Sequence, residues 1–193
     1  MALLEWQAMA EGAYSSNTLR AQKADGAIFK ALCESRGEPY LPADPKTIRA
    51  FIATQVKAGK KPATVKRYVA TIARVHIAAG LLNPCSGEAV RLGLKKMGRE
   101  TSVRQYQAYP LGWKDIKEFI DGAGESLRAD RERAMLCVAY ETLARRGELV
   151  ALEVRDIDFH PDGTGQALIR RGKTDAEGQG RVAYLSRETV KWL

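Results

Sequence analysis

From residue 16 to residue 96, apolar side chains return every three or four positions, and each run is closed by glycine or proline. That period buries one face of an α-helix, and closures this short make successive helices pack on one another. Ser16 and Asn17 can cap a helix over residues 18–35, which Arg36-Gly37 ends. Asp44 followed by Pro45 opens a second, carried by Ile48, Phe51, Ile52 and Val56 and stopped at Gly59. Pro62 opens a third through Val65, Tyr68, Val69, Ile72 and Val75, with Gly80 and Pro84 beyond its end. A shorter segment over residues 87–96 completes a bundle of four or five helices.

After Pro110 the pattern changes. Residues 113–120 read as a short helix, residues 128–144 as a longer and more buried one, and residues 147–152 as a further turn or two. Pro161-Asp162-Gly163 signals a turn, residues 166–170 and 181–185 read as the strands of a hairpin, and Ser186 caps a last helix. Residues 97–110 have little periodicity and read as a linker. The expected division is a helical domain over residues 1–98, a linker over 99–110 and a partial second domain over 111–193. The fold class is mainly α: a helical bundle followed by a partial α+β domain with a small β-hairpin.

Composition narrows the partners. No apolar run approaches the roughly 20 residues that span a bilayer, and the N-terminus lacks the basic and apolar regions of a signal peptide. The expected location is the cytoplasm, with no membrane partner. Cys33, Cys85 and Cys137 form no CxxC pair and have no nearby histidine, so neither a zinc site nor a disulfide framework is expected; Cys33 and Cys137 read as core thiols. With His76 and His160 the only histidines, no metal and no cofactor are expected. The net charge is +8, and residues 43–104 carry 13 basic against 3 acidic residues while the rest nearly balances. Charge concentrated in this way is what counterion release from a phosphate backbone rewards. The third helix carries Lys66, Arg67 and Arg74 off its apolar stripe, with Lys60 and Lys61 at its entry. Arg20 and Lys23 join them from the first helix as candidate contacts to duplex DNA. The plainer reading of each is a solvated helix face.

The sequence Leu143-Ala144-Arg145-Arg146-Gly147-Glu148-Leu149, with Gly172-Lys173-Thr174 on the hairpin behind it, adds chemistry. Taken singly, Arg145 is a helix-terminal cation, Glu148 a salt-bridge partner and Lys173 a solvent-facing lysine. Their order and spacing match a pattern. So do Asn17-Thr18-Leu19-Arg20, Leu41-Pro42-Ala43-Asp44-Pro45, Ala63-Thr64-Val65-Lys66-Arg67, Ala78-Ala79-Gly80-Leu81 and Val154-Arg155-Asp156-Ile157. Over nearly its whole length the chain resembles the tyrosine recombinases, the phage integrase family. The resemblance implies a SAM-like helical core-binding domain and a catalytic domain that clamp duplex DNA. It implies that Arg145 binds the non-bridging oxygens of the scissile phosphate, that Lys173 protonates the leaving 5′ oxygen, and that Glu148 supports Arg145. A planar guanidinium suits charge building on two phosphate oxygens, and an alkoxide leaves readily only when handed a proton.

The pattern is also incomplete. The family's His-x-x-Arg motif, a further His or Trp and a late nucleophilic tyrosine do not follow Lys173; the only later tyrosine, Tyr184, lies in a predicted strand as a packing residue. The chain is therefore expected to be the DNA-binding N-terminal portion of a truncated site-specific recombinase, inactive alone. The complete enzyme would form a 3′-phosphotyrosine within a homotetramer on paired sites, in a bacterial or phage nucleoid. The alternative is a standalone non-catalytic DNA-binding regulator of the same fold. A helical protein-interaction module is disfavoured by the basic central segment. With its second domain incomplete, the chain is expected to aggregate or lose local order beyond about residue 110.

Overall fold

The apolar stripes of the first hundred residues form α1 (Ser16–Ser35), α2 (Pro45–Lys57), α3 (Pro62–Ala78) and α4 (Glu88–Glu100). In this computed structural model, residue 8 and residues 10–101, 107–173, 175 and 177–193 are described. The chain divides into two units, residues 1–106 and 107–193. Residues 102–106 of the expected linker lie outside the described residues, and α4 runs through Glu100.

Local chemistry sets the helix ends. Ser15, one residue before the expected Ser16-Asn17 pair, caps α1 by accepting from the Thr18 N–H at 3.2 Å. Asp44 caps α2 by accepting from the Lys46 N–H at 2.6 Å, with Pro45 in the first helical position. Gly59, at φ +74°, turns the chain out of α2.

The apolar faces meet in one core of Phe29, Cys33, Ile48, Phe51, Ile52, Val65, Tyr68, Ile72, Val90 and Met97. Phe51 is wholly buried, edge-on to Phe29 at 5.2 Å between ring centres and tilted against Tyr68 at 5.9 Å. A Cβ on Gly93 would sit 3.3 Å from Arg49 Cγ and 3.5 Å from Ile52 Cδ1, so α4 rides close on α2. His76 is a buried structural residue. Its Nε2 accepts from the Ala43 N–H at 2.9 Å, which leaves Nδ1 to donate to the Ile72 carbonyl at 2.7 Å.

The second unit holds α5 (Trp113–Gly122), α6 (Leu127–Thr142), α7 (Arg146–Leu149) and α8 (Arg187–Val190). Strands β1 (Ile157–Phe159), β2 (Gly165–Ile169) and β3 (Arg181–Leu185) form an antiparallel sheet in that order. The expected hairpin is thus the larger part of a three-stranded sheet. At three residues β1 is too short for alternation to be read, and Gly165 admits it: a Cβ there would lie 2.9 Å from the Asp158 carbonyl oxygen.

Neighbouring residues of α6 feed two clusters. Cys137 packs with Ile116 and Ile120, and Val138 with Ala167 and Leu185. Serving both clusters buries adjacent positions, Cys137 and Val138, in the C-terminal half of α6. Arg133, on the same helix, is buried. It donates to the Ile120 carbonyl at 3.1 Å and to that of Ala123, closing the end of α5, while its guanidinium stacks on Trp192 at 4.9 Å. Tyr184 sits on the opposite face of the sheet, paired with Gln166 and exposed, rather than in a core.

Phe51→Ala is expected to destabilise the helical unit by about 3–5 kcal/mol. Chemical denaturation of the full chain followed by far-ultraviolet circular dichroism checks this.

Candidate functional site

Helix α6 ends at Thr142, two residues before the expected Ala144, and Leu143 caps it. Leu143 takes the left-handed conformation at φ 50°, a costly geometry for a leucine, and its side chain is exposed. The Thr142 hydroxyl donates to the Val138 carbonyl at 2.6 Å and accepts from the Ala144 N–H at 3.2 Å, fixing the reversal. The chain then extends through Arg145, which stands at the entry to α7.

Glu148 folds back over that entry. Its carboxylate accepts from the Arg145 N–H at 3.1 Å and from Arg145 Nη1 at 2.8 Å. The same oxygen that takes Nη1 also accepts from the Lys173 N–H at 3.4 Å, and Arg181 Nη2 approaches the other oxygen at 3.8 Å. The Glu148 side chain is 6% exposed, whereas those of Arg145 and Arg181 are 56% and 46% exposed. One buried carboxylate therefore gathers α7, the β2–β3 loop and the start of β3, and leaves two guanidinium groups facing solvent. The hydrogen bond from the Arg145 side chain, then that from its backbone N–H, holds the Glu148 carboxyl below its ordinary pKa against the opposing effect of burial.

The loop bearing Lys173 has its own clasp. The Asp175 carboxylate accepts from the N–H groups of Gln179 at 3.0 Å and Gly180 at 2.8 Å. Gly180 sits at φ +71°, where a Cβ would lie 2.9 Å from the Ile169 carbonyl oxygen, so only glycine closes the loop. Arg170 points elsewhere, paired with Asp156 at 2.8 Å and Glu153 at 3.0 Å. The groove of about 780 Å³ in this unit, lined by Trp113, Tyr140, Glu141 and Tyr184 among others, includes none of Arg145, Glu148 and Lys173. The cluster lies outside that groove.

In the helical unit the seven candidate contacts are all exposed but not equivalent. Lys23 on α1, Lys60 and Lys61 before α3, and Lys66 within it have no ion pair among the described residues. Arg20 donates to Asn17 Oδ1 at 2.8 Å. Arg74 stacks on the Tyr14 ring at 5.0 Å and donates to its hydroxyl. Arg67 is paired with Asp25 at 2.9 Å across the contact of α1 with α3. Asp25 is buried and also accepts from the Thr71 hydroxyl at 3.2 Å; burial raises its pKa despite the pull of Arg67 and Thr71. Among the described residues there is no cluster of three or more His, Cys, Asp or Glu side chains able to hold a metal. No helix of these residues is long and apolar enough to cross a membrane.

No family model matches the chain. It is 30% identical over 174 residues to an integrase/recombinase XerD homologue of Selenomonas ruminantium, covering 88% of this chain and 50% of that protein. It is 26% identical over 167 residues to the Cre recombinase of Escherichia phage P1, covering 84% and 48%. The chain belongs to the tyrosine recombinases. It spans about half the length of the curated relatives it matches. Among solved structures it is similar to a XerH site-specific recombinase bound to a palindromic difH substrate in a post-cleavage complex. That likeness has 18% identity and a TM-score of 0.47, over 84% of this chain and 46% of that one. A superposition that loose adds no weight to the sequence match.

Three polar residues of this chain carry no signal in the motifs that mark Arg145, Glu148 and Lys173. Arg181 has no histidine three residues before it and so does not fit the family's His-x-x-Arg motif, yet it faces the carboxylate that holds Arg145. Asp175 reads from the sequence as an ordinary hairpin-turn residue, although its two backbone hydrogen bonds shape the Lys173 loop. Asp25 gave no signal at all, because its burial depends on two helices more than forty residues apart.

Asp175 has its pKa lowered, first by the Gly180 N–H and then by that of Gln179. Its support for the loop is therefore fully present above the unfolded value near 3.8 and is lost as pH falls through the lower folded value. In Asp175→Ala the Gln179 and Gly180 amides are expected to exchange ~10-fold faster or more at neutral pH, measured by hydrogen exchange.

Proposed function

We propose that this chain is the DNA-gripping and phosphate-clamping portion of a site-specific tyrosine recombinase. The observation that carries the reading is the meeting of Arg145, Glu148 and the Lys173 loop on one buried carboxylate, in the order and spacing the family uses. Sequence-distant residues of unlike charge gather in this way around a site, whereas a solvated face needs no such carboxylate.

In this reading the helical unit lies against duplex DNA through Arg20, Lys23, Lys60, Lys61, Lys66, Arg67 and Arg74. The Arg145 guanidinium keeps Nη1 on Glu148 and offers its remaining N–H groups to the non-bridging oxygens of the scissile phosphate. Glu148 acts through Arg145 as a positioning residue. The Lys173 ammonium, carried at the edge of the loop, protonates the leaving 5′ oxygen. Neither metal nor cofactor takes part, since these cations supply the charge stabilisation. Attack by a tyrosine, formation of a 3′-phosphotyrosine and exchange within a homotetramer belong to the complete enzyme. That enzyme also supplies the His-x-x-Arg arginine and histidine. The expected setting is the nucleoid of a bacterium or phage-infected cell.

Binding of the full chain to a blunt duplex, followed by fluorescence anisotropy across salt, tests the reading. Tight binding at low salt that weakens steeply is expected, with Lys61→Ala and Lys66→Ala each lowering the slope of log K against log salt by about one. A nicked substrate that traps covalent intermediates is expected to give no adduct. Absence of duplex binding at low salt contradicts the proposal.

A further inference from the structure

We propose that Asp25 is a positioning residue for Arg67: it neutralises the guanidinium and fixes its Nη1 edge, so that Arg67 meets a phosphate as an oriented donor rather than as a free cation. The inference rests on the nucleic-acid reading of the helical unit and refines what one of its contacts contributes.

Asp25 lies mid-way along α1 and is 2% exposed. Its carboxylate has partners on α3, Arg67 Nη1 at 2.9 Å and the Thr71 hydroxyl at 3.2 Å. A carboxylate at that depth is costly to leave unpaired, so Arg67 cannot be given up to a passing phosphate. The guanidinium is held on a second side as well, 5.5 Å from the centre of the Tyr68 ring, and that ring packs on Phe51 in the core. Yet half of the Arg67 side chain remains exposed, at 49%. The result is a planar donor set in a fixed orientation at the surface, with its charge cancelled from beneath.

Lys66, the preceding residue, is the contrast: exposed, on a flexible stem and without an ion pair among the described residues. Counterion release counts the net charge brought to the phosphates. Lys66 brings a full unit, whereas the Asp25–Arg67 pair brings none and contributes through directed hydrogen bonds.

The test measures duplex binding by the full chain across salt for three variants, with circular dichroism to verify folding. Lys66→Gln is expected to lower the log–log slope by about one. The charge-neutral double substitution Asp25→Asn with Arg67→Gln is expected to weaken binding about 3- to 10-fold at every salt concentration and to leave the slope unchanged. Asp25→Asn alone is expected to raise the slope by about one, because Arg67 then acts as an uncompensated cation. A merely structural pair would move the melting temperature and neither binding parameter. The proposal is overturned if the double substitution lowers the slope as Lys66→Gln does, if it leaves affinity unchanged, or if Asp25→Asn leaves the slope unchanged. Should the double variant fail to fold, the Asp25→Asn slope decides alone. If the unsubstituted chain does not bind duplex, the nucleic-acid reading itself falls and this inference with it; binding with the wrong slopes overturns this inference only.

Discussion

The second unit depends on where one carboxylate can go. Glu148 is nearly enclosed, so it must be matched by donors, and the donors within reach come from Arg145, from the backbone at Lys173 and from Arg181. Meeting that need brings α7 against the β2–β3 loop. The strained turn at Leu143 points the chain toward Glu148, and the Asp175 clasp holds the loop in place. None of these features stabilises much by itself. Together they hold the Arg145 guanidinium by Nη1 on Glu148 while more than half of its side chain faces solvent.

The same device recurs. Asp25 seats Arg67 between α1 and α3, and Asp156 seats Arg170 between β2 and the turn before β1. In each case a buried acid holds an arginine that remains partly exposed. A lysine could not be held in the same way, because its single ammonium lacks the planar fork that lets one edge be anchored while another faces outward. These anchored arginines contrast with Lys60, Lys61 and Lys66 around the start of α3, which have no ion pair among the described residues.

Helix positions were largely legible in the sequence because their signals are local. Asp44-Pro45 and Gly59 bracket α2 as read, and the strand at residues 181–185 matches β3. The misreadings came from interactions that no short window contains. Strand β1 is defined by pairing with β2, not by its own three residues. The end of α6 moved because the reversal at Leu143 is set by contacts of Thr142, whereas the apolar pattern runs on. Arg145, Glu148 and Lys173 could be singled out because they sit in a recognisable order. Arg181 and Asp25 could not, since their significance is conferred by carboxylate and guanidinium partners far along the chain.

The claim that Glu148 organises the site is tested most directly by a carbon-detected NMR titration of its carboxyl group in the full chain. The account predicts a pKa below the ordinary value near 4.5, moving up toward that value in Arg145→Gln, because the Arg145 side chain is the largest cause of the shift. A Glu148 that titrates at or above the ordinary value, or that is indifferent to Arg145→Gln, would contradict it.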